Sequence, residues 1–390
     1  MPLWETFEGV LANLVGTYLN FSSHVIDQIL KHEVPTKEVK NSLPNMVKLD
    51  PLEAGPGYRY FFEQLPHRGW LEPLSNIGYF DPKYNPAPQE IPDQPGYYRI
   101  PVWYALEYVV KVADQTKNRR SNQIVNALVK IIDAIIDYTN DNGERIENDR
   151  TDRQTIKIIG ALPIAELKRL HIDFIGTVLK SERRFGLVDQ EIGETILTKL
   201  LAGGKRELAL TLIAIMLEVE SHEPDIRTVM DDYWLEAALK AQAQAIANLC
   251  GVEAAQIALE KIRSIAVASS FILDFIERVE SDLSRLSHPN YAELVVSFTS
   301  ALFRFAAPDS IEQTVQVLLQ DPHAIIRRIA FKAITDHYSN LKHLFWIGEG
   351  NPLDDVKLEP EITELIETHN HTFNENEMEQ ILQWIEATQH

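Results

Sequence analysis

The chain has 390 residues, 45% of them hydrophobic and 24% charged, which is the composition of a folded protein rather than a disordered one. Its 57 acidic and 37 basic residues give a formal net charge of −20, which makes nucleic acid an unlikely partner, because phosphate binding needs a basic surface. A single cysteine, Cys250, excludes an intrachain disulfide and a thiolate zinc site. No apolar run is long enough to span a membrane. We therefore expect a soluble cytoplasmic protein with no membrane contact, metal or cofactor.

Most of the chain has helical periodicity, with apolar residues recurring at every third or fourth position. In chain order, the predicted helices cover residues 4–30, 124–136, 167–179, 196–201, 208–217, 234–249, 254–265, 271–286, 291–305, 311–319, 324–338, 362–366 and 378–385. Polar caps precede several of these ranges, and glycines such as Gly251 follow others. No period-two run bounded by turns predicts a hairpin. The predicted fold class is all-α.

The first 100 residues break this pattern. Residues 41–57 are predicted to form a long loop, and residues 81–101 contain six prolines, which exclude a regular helix there. Between them lies the densest aromatic segment of the chain. This density predicts two short helices and a structured Pro-rich loop, because a mobile linker does not need so many large apolar side chains.

Aromatic and arginine side chains beside the Pro-rich loop are candidates for partner binding. They are Tyr79, Phe80, Tyr97, Tyr98 and Arg99. Tyr and Arg are frequent anchors of protein interfaces, but the same aromatic residues are also common in cores. The sequence leaves both interpretations open.

The clearest motif lies near residue 321. Asp321-Pro322 opens a predicted helix, and Arg327 and Arg328 follow within it, on a helix with small residues on its buried face. This spacing resembles a HEAT repeat, a helical pair that stacks on its neighbours. In this motif Arg327 is expected to bond the turn residue Asp321 of its own or an adjacent repeat. Arg328 is a candidate contact for an anionic partner.

Helical pairs recurring at roughly 35–45 residues predict an α-solenoid of HEAT-like pairs. We place it at residues 101–390, with residues 1–100 forming N-terminal helices and an aromatic, Pro-rich cap. The runs Trp70-Leu71-Glu72-Pro73-Leu74, Gly78-Tyr79-Phe80 and Pro101-Val102-Trp103-Tyr104 are similar to the helical region of large, mostly uncharacterised bacterial multidomain proteins. Several of those proteins are associated with anti-phage defence. The resemblance implies a helical region that accompanies an NTPase or effector domain.

Three patterns that could carry chemistry fail on spacing. Gly203-Gly204-Lys205-Arg206 does not match a P-loop, His369 and His371 do not match a zinc helix, and residues 140–150 do not match a calcium loop. We therefore predict a protein-recognition scaffold or sensor module rather than an enzyme, in a bacterial antiviral defence system. Its partner is expected to be another protein or a further domain of the same natural chain. The alternatives are a nucleic-acid-binding helical-repeat protein and an enzyme whose active site combines distant residues.

The last predicted helix keeps apolar residues almost to its end, including Ile381, Trp384 and Ile385. The ends of a solenoid need cover, and no polar capping repeat follows this helix. Either the helix packs sideways, or a second copy covers it in a homo-oligomer, or the natural chain continues beyond His390.

Overall fold

The computed structural model describes residues 23–116, 121–181, 188–221, 226–346 and 350–388. Helices dominate these residues, which confirms the all-α prediction. The chain divides into two compact units, Met1–Glu191 and Ile192–His390. The sequence had placed a boundary at residue 100, a position that lies within the first unit.

The first unit contains eight described helices, α1 to α8. Their bounds are residues 23–30 for the described part of α1, then Lys37–Met46, Pro56–Gln64, Leu71–Ile77, Tyr104–Thr116, Asn122–Asp137, Asp149–Ala161 and Arg169–Leu179. Alternate helices pack on each other: α2 on α4, α4 on α6 and α6 on α8, and likewise α3 on α5 and α5 on α7. Helices α2 to α8 therefore alternate between two layers. Residues 4–22 of the first predicted helix lie outside the described residues.

The second unit contains α9 to α18 among its described residues. Their bounds are Thr198–Ala202, Arg206–Met216, Asp232–Cys250, Val252–Asp274, Tyr291–Phe305, Pro308–Leu318, Ala324–Asp336, Tyr338–Trp346, Glu359–His369 and Glu375–Thr388. Here too α9, α11, α13, α15 and α17 pack successively, as do α10, α12, α14 and α16. Stacked helical pairs have this order, and the solenoid itself remains a prediction. Within the described ranges, none of the helices is long and apolar enough to cross a lipid bilayer.

The described strands are very short. β1 (Gln89–Glu90) pairs antiparallel with β2 (Tyr98–Arg99), and β3 (Val219–Ser221) pairs antiparallel with β4 (Arg227–Thr228). Strands of two or three residues carry no readable period-two pattern, which explains why the sequence did not predict them.

The predicted helix over residues 271–286 is wrong. The helix α12 runs on to Asp274 through a non-helical residue, Ser269, and the chain beyond it is irregular except for a short 3₁₀ turn at Leu283–Arg285. Its buried backbone is paired by side chains of other helices instead of by a helix of its own. Arg328 donates to the carbonyl oxygens of residues 276 and 277, at 2.7 and 2.8 Å. The apolar spacing of these residues therefore reflects their burial in the core and not a helix.

In the HEAT-like turn, Arg327 bonds the turn residue Asp321 through that residue's main chain rather than its carboxylate. Arg327 donates to the main-chain carbonyl of Asp321 at 2.7 Å and to the carboxylate of Asp355. The carboxylate of Asp321 instead accepts the backbone N–H of His323 at 3.0 Å and pairs with Arg263 of α12, also at 3.0 Å. Asp321 therefore caps the turn before α15, and Arg327 links this turn to the segment before α17.

Candidate partner-binding groove

An open groove of about 960 Å³ lies on the first unit. Its walls come from the 51–54 segment, from residues 98–104 after the Pro-rich loop, and from the first turn of α7. Ligand-binding clefts in proteins commonly have volumes of roughly 300–1,000 Å³. The groove is thus large enough to hold a small molecule or a short peptide segment.

One buried side chain, Asn148, joins two of these walls. As the N-cap of α7, its Oδ1 accepts the backbone N–H groups of Arg150 and Thr151 at 3.0 and 3.2 Å. Its Nδ2 donates to the carbonyl oxygens of Pro86 and Pro101 at 2.7 and 3.1 Å. Prolines have no N–H to donate, but their carbonyls still need donors when buried. Asn148 therefore fixes the Pro-rich loop to the start of α7 at two points, Pro86 and Pro101.

A second set of hydrogen bonds strengthens the same junction. The hydroxyl of Thr151 donates to Oδ1 of Asn85 at 2.7 Å, and Nδ2 of Asn85 donates to the carbonyl of Ile146 at 3.3 Å. Asn85 and Thr151 are both buried. Hydrogen bonds between buried groups hold their geometry firmly, because an unpaired partner costs about 1–3 kcal/mol. The groove is consequently built on a rigid support.

The hairpin β1–β2 orders the exposed part of the Pro-rich loop. The N–H of Ile91 donates to the carbonyl of Tyr97 at 2.8 Å, and the carboxylate of Glu90 accepts the N–H of Gly96 at 3.1 Å. Gly96 has φ +83°, a left-handed conformation that glycine adopts without strain. Tyr97 and Tyr98 follow this turn and are 67% and 40% exposed. The hairpin therefore carries Tyr98, which lines the groove, and its more exposed sequence neighbour Tyr97.

The groove carries local positive charge. Among the described residues, Arg99, Arg150 and Arg153 line it and Asp149 is the one acidic lining residue, so their sum is 3 − 1 = +2 in a chain of net charge −20. Arg99 and Arg150 are exposed and Arg153 is half-buried. Within the described ranges, none of the three guanidinium groups forms an ion pair or a hydrogen bond with another side chain. These three positive charges are available to a ligand.

The carboxyl group of Glu107 also interacts electrostatically with Arg150. Burial raises the pKa of Glu107 on α5, and the positive charges of Lys111 and Arg150 only partly oppose this effect. The influence of Arg150 on this carboxyl is therefore electrostatic rather than a direct ion pair.

Two other grooves have their charges compensated. The groove lined by Glu33, Lys40, Arg68 and Glu72 holds equal numbers of acidic and basic side chains. In a groove of the second unit, the three basic residues Arg327, Arg328 and Lys357 pair with the acidic residues Asp355, Glu361 and Asp274. Counted by described lining residues alone, the first of these grooves sums to 2 − 2 = 0 and the second to 3 − 2 = +1, so the groove beside α7 has the largest positive sum of the three.

The structure separates the predicted binding residues into two groups. Tyr98 and Arg99 line the groove and Tyr97 lies next to them in sequence, whereas Tyr79 and Phe80 are buried at 0% and 3% exposure. The hydroxyl of Tyr79 donates to the carbonyl of residue 47, and Phe80 stacks on the ring of residue 108. A buried ring that is bonded in this way does not reach a partner. We therefore assign Tyr79 and Phe80 to the core.

Arg328 also belongs to the interior. It lies in the second unit with 7% of its side chain exposed, and its guanidinium pairs twice with the fully buried Glu361, at 2.6 and 3.0 Å. Its remaining donors bond backbone carbonyls of the segment after α12. The prediction of an anionic partner for Arg328 is corrected: the anion is Glu361 of the same chain.

Sequence analysis did not single out Asn148, Arg150 and Arg153, because it considered residues 140–150 only as a calcium loop and predicted no helix after them. Helix α7 begins with mostly polar residues, and several of them, including Asp152 and Gln154, are buried. Apolar periodicity is therefore weak where the helix starts. The available signal was Asn148 as a cap, followed by arginines three positions apart, which share a helix face.

Comparison with known proteins adds no name to this site. No protein-family model matches the chain, and no curated protein matches it either. In the part of the chain that the structure describes, no group of three or more His, Cys, Asp or Glu side chains could hold a metal ion.

Proposed function

We propose that this chain is a protein-recognition scaffold or sensor module that binds a partner at the groove beside α7. The observation that carries the proposal is the set of three arginines, Arg99, Arg150 and Arg153, which line one open groove beside the exposed Tyr98 and form no ion pair with any described side chain. Arg and Tyr are the side chains that most often anchor protein interfaces. The support of the groove by buried Asn148 adds to the argument, because a pre-organised site loses less entropy on binding.

The proposed setting follows from the HEAT-like motif and from the resemblance to helical regions of bacterial multidomain proteins. In that setting the chain binds another protein, or a further domain of the same natural chain, within a defence-type system, and it performs no catalysis. The two-layer order of helices in each unit supports a repeat scaffold, since such scaffolds use their surfaces for binding.

Self-association through the C-terminal helix stays a separate prediction. Helix α18 exposes Met378, Leu382 and Ile385 at 39%, 55% and 41%. These residues lie at helical spacing on one face, and exposed apolar faces of this kind favour contact with another surface.

A site-specific crosslinking experiment tests the proposed function. A photo-reactive phenylalanine analogue replaces Tyr97, and a matched variant carries it at Tyr233, which is 65% exposed against 67% for Tyr97. In cells that naturally make the protein, we expect the Tyr97 variant to give a discrete crosslinked species that the Tyr233 variant does not give. Identical crosslinking patterns from the two variants would contradict binding at the groove.

A further inference from the structure

We infer that the groove beside α7 binds an extended acidic segment of the partner, with carboxylates on Arg99, Arg150 and Arg153 and apolar side chains on the lining of the groove. This inference rests on the proposed function and gives the partner a chemistry. The positive groove in an acidic chain and its apolar lining carry the argument.

The charged groups of the groove are suited to carboxylates. A guanidinium presents a planar fork of N–H donors that matches a carboxylate, and such charge-assisted pairs are stronger than neutral hydrogen bonds. Arg150 and Arg153 are three positions apart on α7, so they lie on the same side of the helix. Arg99 enters the groove from β2. Three separate cations favour a ligand with several carboxylates over a single anion.

Part of the groove lining is apolar. Leu52 is 52% exposed, and the half-buried Ile100 and Val102 line the same groove. The backbone N–H of Leu52 donates to the carboxylate of Asp50 at 2.8 Å, which fixes the turn that carries it. A ligand that fills this groove therefore needs apolar groups beside its charges. An extended peptide meets this need, because its alternate side chains point to opposite sides.

The charge distribution of the chain favours a short acidic peptide over a nucleic acid. Screening limits a surface charge to a range of about 8–10 Å at physiological ionic strength, so the three arginines act mainly on groups inside the groove. A nucleic acid has a phosphate at every nucleotide and continues beyond the groove, where the chain of net charge −20 repels it. A short acidic segment keeps its charges where the arginines are.

Fluorescence polarisation with synthetic peptides tests the inference. The probes are labelled peptides of about eight residues that alternate Glu with Leu, a neutral match that alternates Gln with Leu, and a single-stranded thymidine oligonucleotide of about eight nucleotides. We expect the Glu–Leu peptide to bind measurably below about 1 mM and the other two probes to bind at least about tenfold more weakly. Tighter binding of the oligonucleotide, or equal binding of the neutral peptide, overturns the inference.

Arginine variants show where the peptide binds. Changing Arg99, Arg150 and Arg153 together to Gln should weaken the Glu–Leu peptide by at least about tenfold, because each lost charged pair is worth more than a neutral hydrogen bond. The matched control is Arg169→Gln on α8, since Arg169 is 67% exposed and does not line the groove. An equal loss in the control, or no loss in the triple variant, contradicts binding at this groove.

A charge reversal adds a test that a folding defect does not imitate. Arg150 lies in the first turn of α7, where an acidic residue is favourable to the helix, but its positive charge also acts on Glu107, so the melting temperature of Arg150→Glu is measured beside its binding. We expect this variant to bind the Glu–Leu peptide less tightly and a Lys–Leu peptide more tightly than the parent chain. Failure of all the peptide tests refutes the acidic segment, while the crosslinking at position 97 separately decides whether the groove binds a protein.

Discussion

Asn148 makes four hydrogen bonds with one buried side chain, and so it joins the cap of α7 to two points of the Pro-rich loop, Pro86 and Pro101. A short amide is suited to this place because it offers an acceptor and two donors in one plane. Asp would keep the acceptor for α7 but would lose the donors to the Pro86 and Pro101 carbonyls. Ala would leave all four groups without this partner.

We predict that Asn148→Ala destabilises the protein by at least about 2 kcal/mol, because buried unsatisfied groups cost about 1–3 kcal/mol each. The matched control is Asn290→Ala, which removes the N-cap of α13 at an exposed position and should cost about 1 kcal/mol. Asn148→Asp tests the loop link separately, because it retains the cap. Chemical denaturation measures all three. A cost for Asn148→Ala no larger than that for Asn290→Ala would show that the link to the Pro-rich loop contributes nothing.

At the scale of helices, apolar periodicity predicted those that bury one continuous stripe. The prediction of residues 291–305 coincides with α13, and the prediction of 124–136 lies within α6. Periodicity missed α7, whose buried first turns are polar, and it failed after α12, where apolar residues are buried without a helix. Partners distant in sequence decide both cases. Asn85 and Asn148 support α7, while Arg328 and Glu361 pair the backbone after α12. A local sequence pattern gives no information about partners that are distant in the chain.

The candidate site was predictable only in part, for a related reason. Tyr97, Tyr98 and Arg99 are exposed and stand out by residue type beside a Pro-rich loop. Tyr79 is also a tyrosine, yet it lies in the core, where its hydroxyl donates to the carbonyl of residue 47. Whether an aromatic side chain faces a groove or a core depends on the packing of distant segments.

The pair Arg328–Glu361 connects α15 and α17 to the irregular segment after α12. Besides the ion pair, Glu361 accepts the backbone N–H of Val279 at 2.8 Å. Removing one member leaves a buried charge without compensation, which typically costs about 3–5 kcal/mol. Replacing both members removes that charge but still leaves backbone groups of residues 276–279 unpaired.

We therefore predict that Arg328→Met lowers the free energy of unfolding by about 3–5 kcal/mol. The double variant with Glu361→Leu should be less destabilised than the sum of the two single variants, yet remain less stable than the parent chain. Denaturation of all four proteins gives the coupling energy. The control is Arg169→Met, whose exposed pair with Asp173 should contribute less than about 1 kcal/mol. A double variant as stable as the parent would mean that the backbone contacts of this pair are dispensable.

Over the whole molecule, two electrostatic effects of opposite sign operate together. The formal net charge of −20 opposes the compact state through repulsion between like charges. The groove beside α7 is locally positive and attracts carboxylates. Both interactions are screened by salt. Salt should therefore stabilise the fold while it weakens the binding of an acidic segment.

One salt titration tests both effects, on the melting temperature and on peptide binding. Raising NaCl from about 20 to about 200 mM at pH 7 shortens the screening length to less than half, and we expect the melting temperature to rise by roughly 2–4 °C. Near pH 5, close to the sequence pI of 5.0, the net charge is small and the rise should disappear. Over the same salt range at pH 7, the Glu–Leu peptide should lose affinity. Peptide affinity that increases with salt would mean that repulsion from the whole chain outweighs attraction by the three arginines. A melting temperature that falls with salt would mean that stabilising ion pairs outweigh the repulsion between the excess negative charges.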